Sequence, residues 1–331
     1  MPANGDRADR DLVLEELRTA DRLIVITHEN PDGDALGSLV ATQGILAAIG
    51  KDCLMFIDEH ELPLPQEYRF FPLSGLVSEP PEDLEERTVV FLDCGNLDRN
   101  PAEAFRRPGT HILNIDHHHD NTRFGTVNLV APEASCTAEI VWDLMAGLGV
   151  DPTLTVAEAL YVGLITDTGR FMYENTGRRA HLMAADLIDA GVDVHEMYRR
   201  VYEGVPYGKL ALLARGLANV ERYDDGRLTM TALSASDFHD SDAEESYSEG
   251  VVDHLRAVQG TAVAALVRDR IGDEQGSLRK VSLRAGDARV DVSAIARAQG
   301  GGGHRQAAGF TTELSHEQLV DFLRAELAAQ L

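Results

Sequence analysis

Along the chain, short continuous apolar runs alternate with longer stretches whose apolar residues recur at three- and four-residue spacing. Residues 22–27 (Arg-Leu-Ile-Val-Ile-Thr), 53–57, 89–92 and 111–115 read as buried strands. An amphipathic segment lies around residues 12–20, and residues 34–49, 133–148 and 154–164 read as helices. Strands that are apolar throughout, rather than at alternate positions, imply a mainly parallel sheet covered on both faces.

Residues 191–207, with Gly204 and Pro206, read as a partly helical connector. Beyond it, strands are predicted at 227–233, 261–267 and 278–283, with helices near 244–258 and 315–329. The expected organisation is an N-terminal α/β domain over 1–190, a connector over 191–215 and a smaller α/β domain over 216–331. No internal repeat is evident, and Asp237, Asp240, Asp242, Glu244 and Glu245 mark a solvated acidic loop.

Composition narrows the function classes. No apolar run in the 331 residues approaches the roughly 20 needed to span a bilayer. The polar, acidic first residues lack the basic start and apolar core of a secretory signal. Acidic residues number 55 against 30 basic ones, a formal charge of −25. Only Lys51, Lys209 and Lys280 are lysines. Such a composition resembles that of a cytosolic protein adapted to molar salt, where the screening length falls to about 3 Å and the repulsion of polyanions is muted. Cys53, Cys94 and Cys136 are far apart and form no paired motif, which points to a reducing compartment and a cytoplasmic location. Cys94, after an apolar run, reads as a small buried hydrophobe.

Four segments place acids and histidines just past apolar runs: His28 to Asp34, Asp93, Asp116-His117-His118, and Asp167. In an open α/β sheet the carboxyl ends of the strands converge on one crevice. Carboxylates gathered there would raise one another's pKa unless cations compensate them. Imidazole and carboxylate ligands without thiolate suit manganese, with magnesium, cobalt or zinc as alternatives. Two such ions can ionise water and neutralise phosphoryl oxygens. Singly, these residues have plainer readings. Pro31-Asp32-Gly33-Asp34 is common turn chemistry, Asp34 or Asp93 can cap a helix or turn, and the histidines can be loop residues.

Taken together, HENPDGDALGS, FLDCG, DHHHDN and GLITDTGRF resemble, in order, the four motifs of the DHH phosphoesterase superfamily. GGGGHRQAAGF (300–310) resembles the glycine-rich signature of the domain that accompanies DHH in one branch. The resemblance implies one ion on His28, Asp32 and Asp93 and a second on Asp34, Asp93, His117 and Asp167, with Asp93 bridging. It further implies that Asp116 orients the histidines, while His118 contacts the scissile phosphate or helps the leaving oxygen. His119 receives no role. In the C-terminal domain, Gly301, Gly302 and Gly303 would bring backbone amides close to a nucleotide phosphate, His304 would contact base or phosphate, and Arg284 would offer a fork to a terminal phosphate. A tight turn and a surface arginine are the plainer readings of these residues.

The TDTGRF form and two-domain size are most similar to the nanoRNase and 3′-phosphoadenosine 5′-phosphate phosphatase group. The implied activity is Mn²⁺-dependent hydrolysis of short RNA or DNA oligonucleotides to 5′-mononucleotides, with the adenosine bisphosphate as a further substrate. The implied site lies in the cleft between the domains, which would close over substrate, and a homodimer is compatible with the resemblance. Alternatives are a RecJ-type single-strand exonuclease, a phosphodiesterase on cyclic or linear dinucleotides, and a non-catalytic nucleotide sensor. Scattered basic residues and few aromatics disfavour a long single-strand track, and the intact ligand set disfavours a sensor.

Overall fold

A computed structural model describes residues 4–100, 102–107, 109–269, 278–303 and 305–331. The chain divides into two compact units, Met1–Gly204 and Val205–Leu331, the break falling within the stretch read as a connector. In the first unit the apolar runs become strands β1 (Arg22–Ile26), β2 (Asp52–Phe56), β4 (Thr88–Leu92) and β5 (Ile112–Asp116), joined by β3 (Leu76–Val77) and β6 (Val127–Val130). The six form one parallel sheet in the order β3-β2-β1-β4-β5-β6. Ile24 of β1 lies between Leu54 and Val89, so β1 and β4 are neighbours although the chain leaves β1 for β2. That reversal of strand order is a topological switch point, where the carboxyl ends of adjacent strands leave a crevice.

Helices α1 (Asn4–Thr19), α2 (Gly33–Ala48), α3 (Thr137–Leu148) and α4 (Leu154–Asp167) cover one face over a core that includes Leu36, Leu39, Leu92, Leu113 and Leu160. Helices α5 (Arg178–Asp189) and α6 (Val194–Tyr202) complete the unit. The other face buries Ile24, Ile26, Phe91 and Phe105. It is covered by irregular segments with short 3₁₀ turns, such as Glu103–Arg106, rather than long helices. Pro80 and Pro81, just ahead of the turn that packs Leu84 against this face, explain part of this, because proline lacks the N–H a helix interior requires.

Helices α2 and α4 cross at glycine. A β-carbon on Gly37 would fall 2.4 Å from the carbonyl oxygen of Ala159, and one on Gly163 would meet Ala138 and Asp34. This close approach brings the C-terminal end of α4 to the carboxyl edge of the sheet.

The second unit comprises α7 (Tyr207–Ala218), β7 (Glu221–Tyr223), β8 (Leu228–Leu233), α8 (Ala235–Asp240), α9 (Val251–Arg256), β9 (Val263–Asp269), β10 (Arg279–Ala285), α10 (Val292–Arg297), β11 (Gly302–Gly303), β12 (Ala307–Thr312) and α11 (His316–Gln330). Its sheet runs β11-β12-β10-β9-β8-β7, with only β8 and β9 parallel. Two expectations change in detail. The helix read over 133–148 starts at Thr137, after Pro132, and the one read over 244–258 is a 3₁₀ turn, Glu245–Ser248, followed by α9. Gly250 at φ 85° separates them, a conformation that breaks a right-handed helix. Among the described residues, no helix is long and apolar enough to cross a membrane.

Candidate metal centre

The loops leaving β1 and β4 carry His28 and Asp93, and the last residue of β5 is Asp116, at the same edge of the sheet. Thr27 Oγ1 donates to the carbonyl of Leu92 at 2.9 Å, and Asn100 Nδ2 to that of Thr27 at 2.7 Å, fastening the first two exits together. Asp167 reaches the same edge by another route. It is the last residue of α4, the helix read over 154–164, and so comes from a helix end where His28, Asp93 and Asp116 come from strand ends. The apolar run before it is long enough to be helical, and the glycine crossing delivers its end to the crevice.

Asp93 is the centre of the cluster. Only 2% exposed, it adopts the left-handed conformation (φ 58°), uncommon for a residue other than glycine and enriched at functional sites. Its carboxylate lies 3.6 Å from His28 Nε2 on one side and 3.6 Å from both His117 Nε2 and His118 Nδ1 on the other. Burial works against its ionisation, but the attraction of His28, His118 and His117 outweighs it and holds the carboxyl below its usual range. His28 Nδ1 faces the carbonyl oxygen of Glu29 at 2.7 Å. A proton on that nitrogen leaves Nε2 as a ligand lone pair.

Asp32 and Asp34 divide roles that the sequence leaves open. Asp32, not Asp34, is the N-cap of α2, accepting from the backbone N–H of Asp34 and Ala35 through Oδ1. Asp34 is 1% exposed and accepts from Thr137 N at 2.6 Å, Ala138 N at 2.9 Å and Ser38 Oγ at 3.3 Å. It therefore satisfies the first turn of α3, whose own N-cap residue, Cys136, makes no side-chain cap. Burial pushes the Asp34 carboxyl well up, and Asp93, Asp167 and Asp32 add to the effect. Burial likewise raises Asp167 to about 6, against the nearby imidazole of His117. Carboxyls so crowded that two resist ionisation are the electrostatic signature of a site completed by cations.

Three groups have ligand atoms lying within 4.8 Å of one another: His28, Asp32 and Asp93; Asp34, His117 and Asp167; and Asp93, His117 and His118. The donors are imidazole nitrogens and carboxylate oxygens, a set that fits hard or intermediate divalent cations. These groups can hold metal. Asp116 is fully buried and accepts from His117 N at 2.9 Å, from His118 Nδ1 at 2.8 Å and from Asn121 Nδ2. Burial opposes protonation of His118, but Asp116 and Asp93 outweigh it and lift its pKa to about 9. With Nδ1 directed at Asp116, its Nε2–H remains available as a donor. His119 is exposed.

Several supporting residues escaped the sequence reading. Thr137 Oγ1 donates to Asp93 at 3.0 Å, and Asn175 Nδ2 donates to the Asp167 carboxylate at 3.2 Å and to Ser135 O at 2.8 Å. Asn121 also donates to the carbonyl of Cys94, and Glu139 accepts from Ser135 N and Arg179 Nε. Asn121 stands inside the DHHHDN run, and Glu139, an acid in the first turn of the helix, is a helix-start signal. Neither signal names its long-range partner.

In the second unit, β-carbons on Gly301 and Gly303 would strike the neighbouring strand, at 2.2 Å from Gly309 O and 2.6 Å from Ala307 O. Packing explains both glycines. Gly302 alone of the three faces open space, with nothing within 4 Å of its missing side chain. Arg284 Nε lies 3.4 Å from Asp253, and Arg284 also donates to the carbonyl of Leu283. His304 lies outside the described residues.

The model of the DHH family N-terminal domain matches residues 22–164, and that of the DHHA1 domain matches residues 228–330. The bifunctional oligoribonuclease and PAP phosphatase NrnA of Thermus thermophilus is 35% identical over 328 residues, covering 96% of this chain and 94% of that protein. This chain belongs to the DHH family. As a DHH protein with a DHHA1 domain, it shares its fold with an exopolyphosphatase-related protein from Bacteroides fragilis. That crystal structure has a TM-score of 0.87 at 24% identity, covering 98% of this chain and 96% of the other. A structure of the exonuclease RecJ bound to manganese is more distant, with a TM-score of 0.57 at 18% identity over all of this chain and 95% of that one.

Proposed function

We propose that this DHH protein is a metal-dependent phosphoesterase that hydrolyses short oligonucleotides to 5′-mononucleotides and removes the 3′-phosphate of 3′-phosphoadenosine 5′-phosphate. The observation that carries the reading is Asp93, buried where a His28/Asp32 group meets a His117-containing group. The names borne by the Thermus thermophilus relative, matched along nearly its whole length, support the choice of substrates. We assign His28, Asp32 and Asp93 to one cation and Asp34, Asp93, His117 and Asp167 to a second, with Mn²⁺ as the preferred ion. Cations held there supply Lewis acidity and an acidified water.

The chain's own residues do the rest. Asp93 keeps the two ligand groups at one spacing, and Thr137 and the first turn of α3 fix Asp93 and Asp34. His118, held protonated beside Asp116, directs Nε2–H toward the scissile phosphate or the leaving oxygen. Arg284, Gly302 and His304 supply nucleotide recognition from the second unit, Gly302 by the open space above its backbone, while Gly303 serves the packing of its strand. A cytosolic setting at high salt accords with 55 acidic residues and three lysines.

The deciding experiment presents a labelled RNA dinucleotide and a long single strand together, with Mn²⁺ in molar KCl. Conversion of the dinucleotide to mononucleotides while the long strand survives is the expected result. Processive loss of the long strand would replace this reading by an exonuclease of the RecJ kind.

A further inference from the structure

Directly after Asp167 the backbone passes through three consecutive left-handed residues, Gly169, Arg170 and Phe171, at φ 54°, 61° and 65°. That conformation is unfavourable for arginine and more so for a bulky phenylalanine, so the surroundings must enforce it. They do. The buried Thr168 hydroxyl donates to Leu164 O and accepts from Phe171 N, while the N–H groups of Met172 and Tyr173 both reach Thr168 O at 3.0 Å. Phe171 stacks on His181 with ring centres 5.1 Å apart, and the Arg170 guanidinium lies 5.1 Å from the centre of the Tyr202 ring.

This enforced turn leaves Met172 67% and Tyr173 57% exposed, and neither joins a core cluster. Tyr173 is nevertheless held in place. A β-carbon on Gly169 would fall 2.4 Å from its ring, so the glycine lets the ring lie flat against the backbone two residues beyond Asp167. Asn175 ties the far side of the turn to the Asp167 carboxylate. The result is an aromatic face, open to solvent, on the turn that follows a candidate ligand.

We propose that Tyr173, flanked by Met172, is a stacking platform for the nucleobase adjoining the scissile phosphate. The proposal rests on the nucleotide-hydrolysing reading above. Every base has a π-face, so stacking is tolerant of sequence and suits short substrates that offer few phosphates to a chain with scattered basic residues. Arg170, engaged with Tyr202, is assigned to holding the turn.

Two readouts test the platform. With Mg²⁺ bound and a non-hydrolysable dinucleotide containing 2-aminopurine, the probe is quenched by the wild type and by Tyr173→Trp but not by Tyr173→Ala. With Mn²⁺, Tyr173→Ala raises KM for a dinucleotide about fivefold or more while kcat, and KM for an analogue abasic at that position, stay within about twofold. Tyr173→Ala matching the wild type in both quench and KM overturns the proposal. So does an equal loss on the abasic analogue, since the residue would then act only on the turn, and so does a wild type that never quenches the probe. A wild type that quenches the probe but cleaves nothing sinks the hydrolytic reading and leaves the platform standing.

Discussion

Asp93 is almost wholly buried, sits among three imidazoles and is aimed by a hydroxyl from a helix more than forty residues away in sequence; Arg284 stands 32% exposed, with Asp253 as its nearest acid. One is an anion suited to cations and the other a cation suited to phosphates, and the fold treats them differently. Around Asp93 four chain segments converge, and low dielectric magnifies every charge. Around Arg284 and Gly302 there is solvent, where a charge is worth little until a ligand displaces water. On the function proposed above, the first unit would lower the barrier of the reaction and the second would hold the substrate. Losses in the first should appear in kcat and metal content, and losses in the second in KM.

The largest expected effect is that of Asp93→Asn, which tolerates the left-handed backbone but removes the charge. Turnover should fall by on the order of 10³-fold or more, exceeding the loss of one preorganised donor, and equilibrium dialysis should find weakened binding of both ions. Near wild-type turnover at saturating Mn²⁺ would remove Asp93 from the centre of the mechanism.

Thr137→Val comes next, because it deletes the hydroxyl that donates to Asp93 at almost constant volume. A loss of about 10- to 100-fold in metal affinity or activity is expected, as for partners behind a ligand. An unchanged metal-binding isotherm would show that this hydroxyl plays no part in aiming Asp93.

Metal removal should separate the units by stability. Calorimetry with and without Mn²⁺ should show the first unit's transition rise by several degrees at about 100-fold excess over Kd, with the second unit's unmoved. The pH dependence of the metal-free protein sharpens this. Asp167 is raised from 3.8 to about 6, and an acid raised on folding stabilises the fold below its unfolded pKa and loses that contribution as pH rises through the folded value. His118 is raised from 6.5 to about 9, so its contribution is complete below 6.5 and lost as pH climbs through 9. Both signs agree: the metal-free first unit should weaken as pH rises from 4 to 9. A transition that strengthens over that range would contradict the crowding of the cluster.

Smallest is the effect of Arg284→Ala. KM for a dinucleotide should rise about tenfold, as for loss of a charged hydrogen bond, with metal content and kcat held. A fall in kcat with KM unchanged would erase the contrast between the units.

Much of the first unit is legible in the order of its residues alone. The runs at 22–27, 53–57, 89–92 and 111–115 became strands because four or five consecutive apolar residues bounded by polar ones can be buried on both faces. The acids and histidines after them met because parallel strands share one carboxyl edge. Strands β3 and β11, at two residues each, carry too little pattern to be read alone. Thr137, Asn175 and Glu139 were silent for another reason, since their work is done on partners distant in sequence or through the fold's geometry.

Sequence by itself determined the alternation that makes the parallel sheet, the ligand types and the glycines that permit close approach, because periodicity, donor chemistry and the absence of a β-carbon are local properties. Tertiary structure decided which aspartate caps and which is buried. Asp32 caps its own helix, while Asp34 serves a helix that begins at residue 137. It also decided that the end of the helix carrying Asp167 reaches the carboxyl edge of the sheet, and that Tyr173 is presented after it by a left-handed turn. Those outcomes depend on burial and on charges brought together from distant segments, whose energies exist only once the chain has folded.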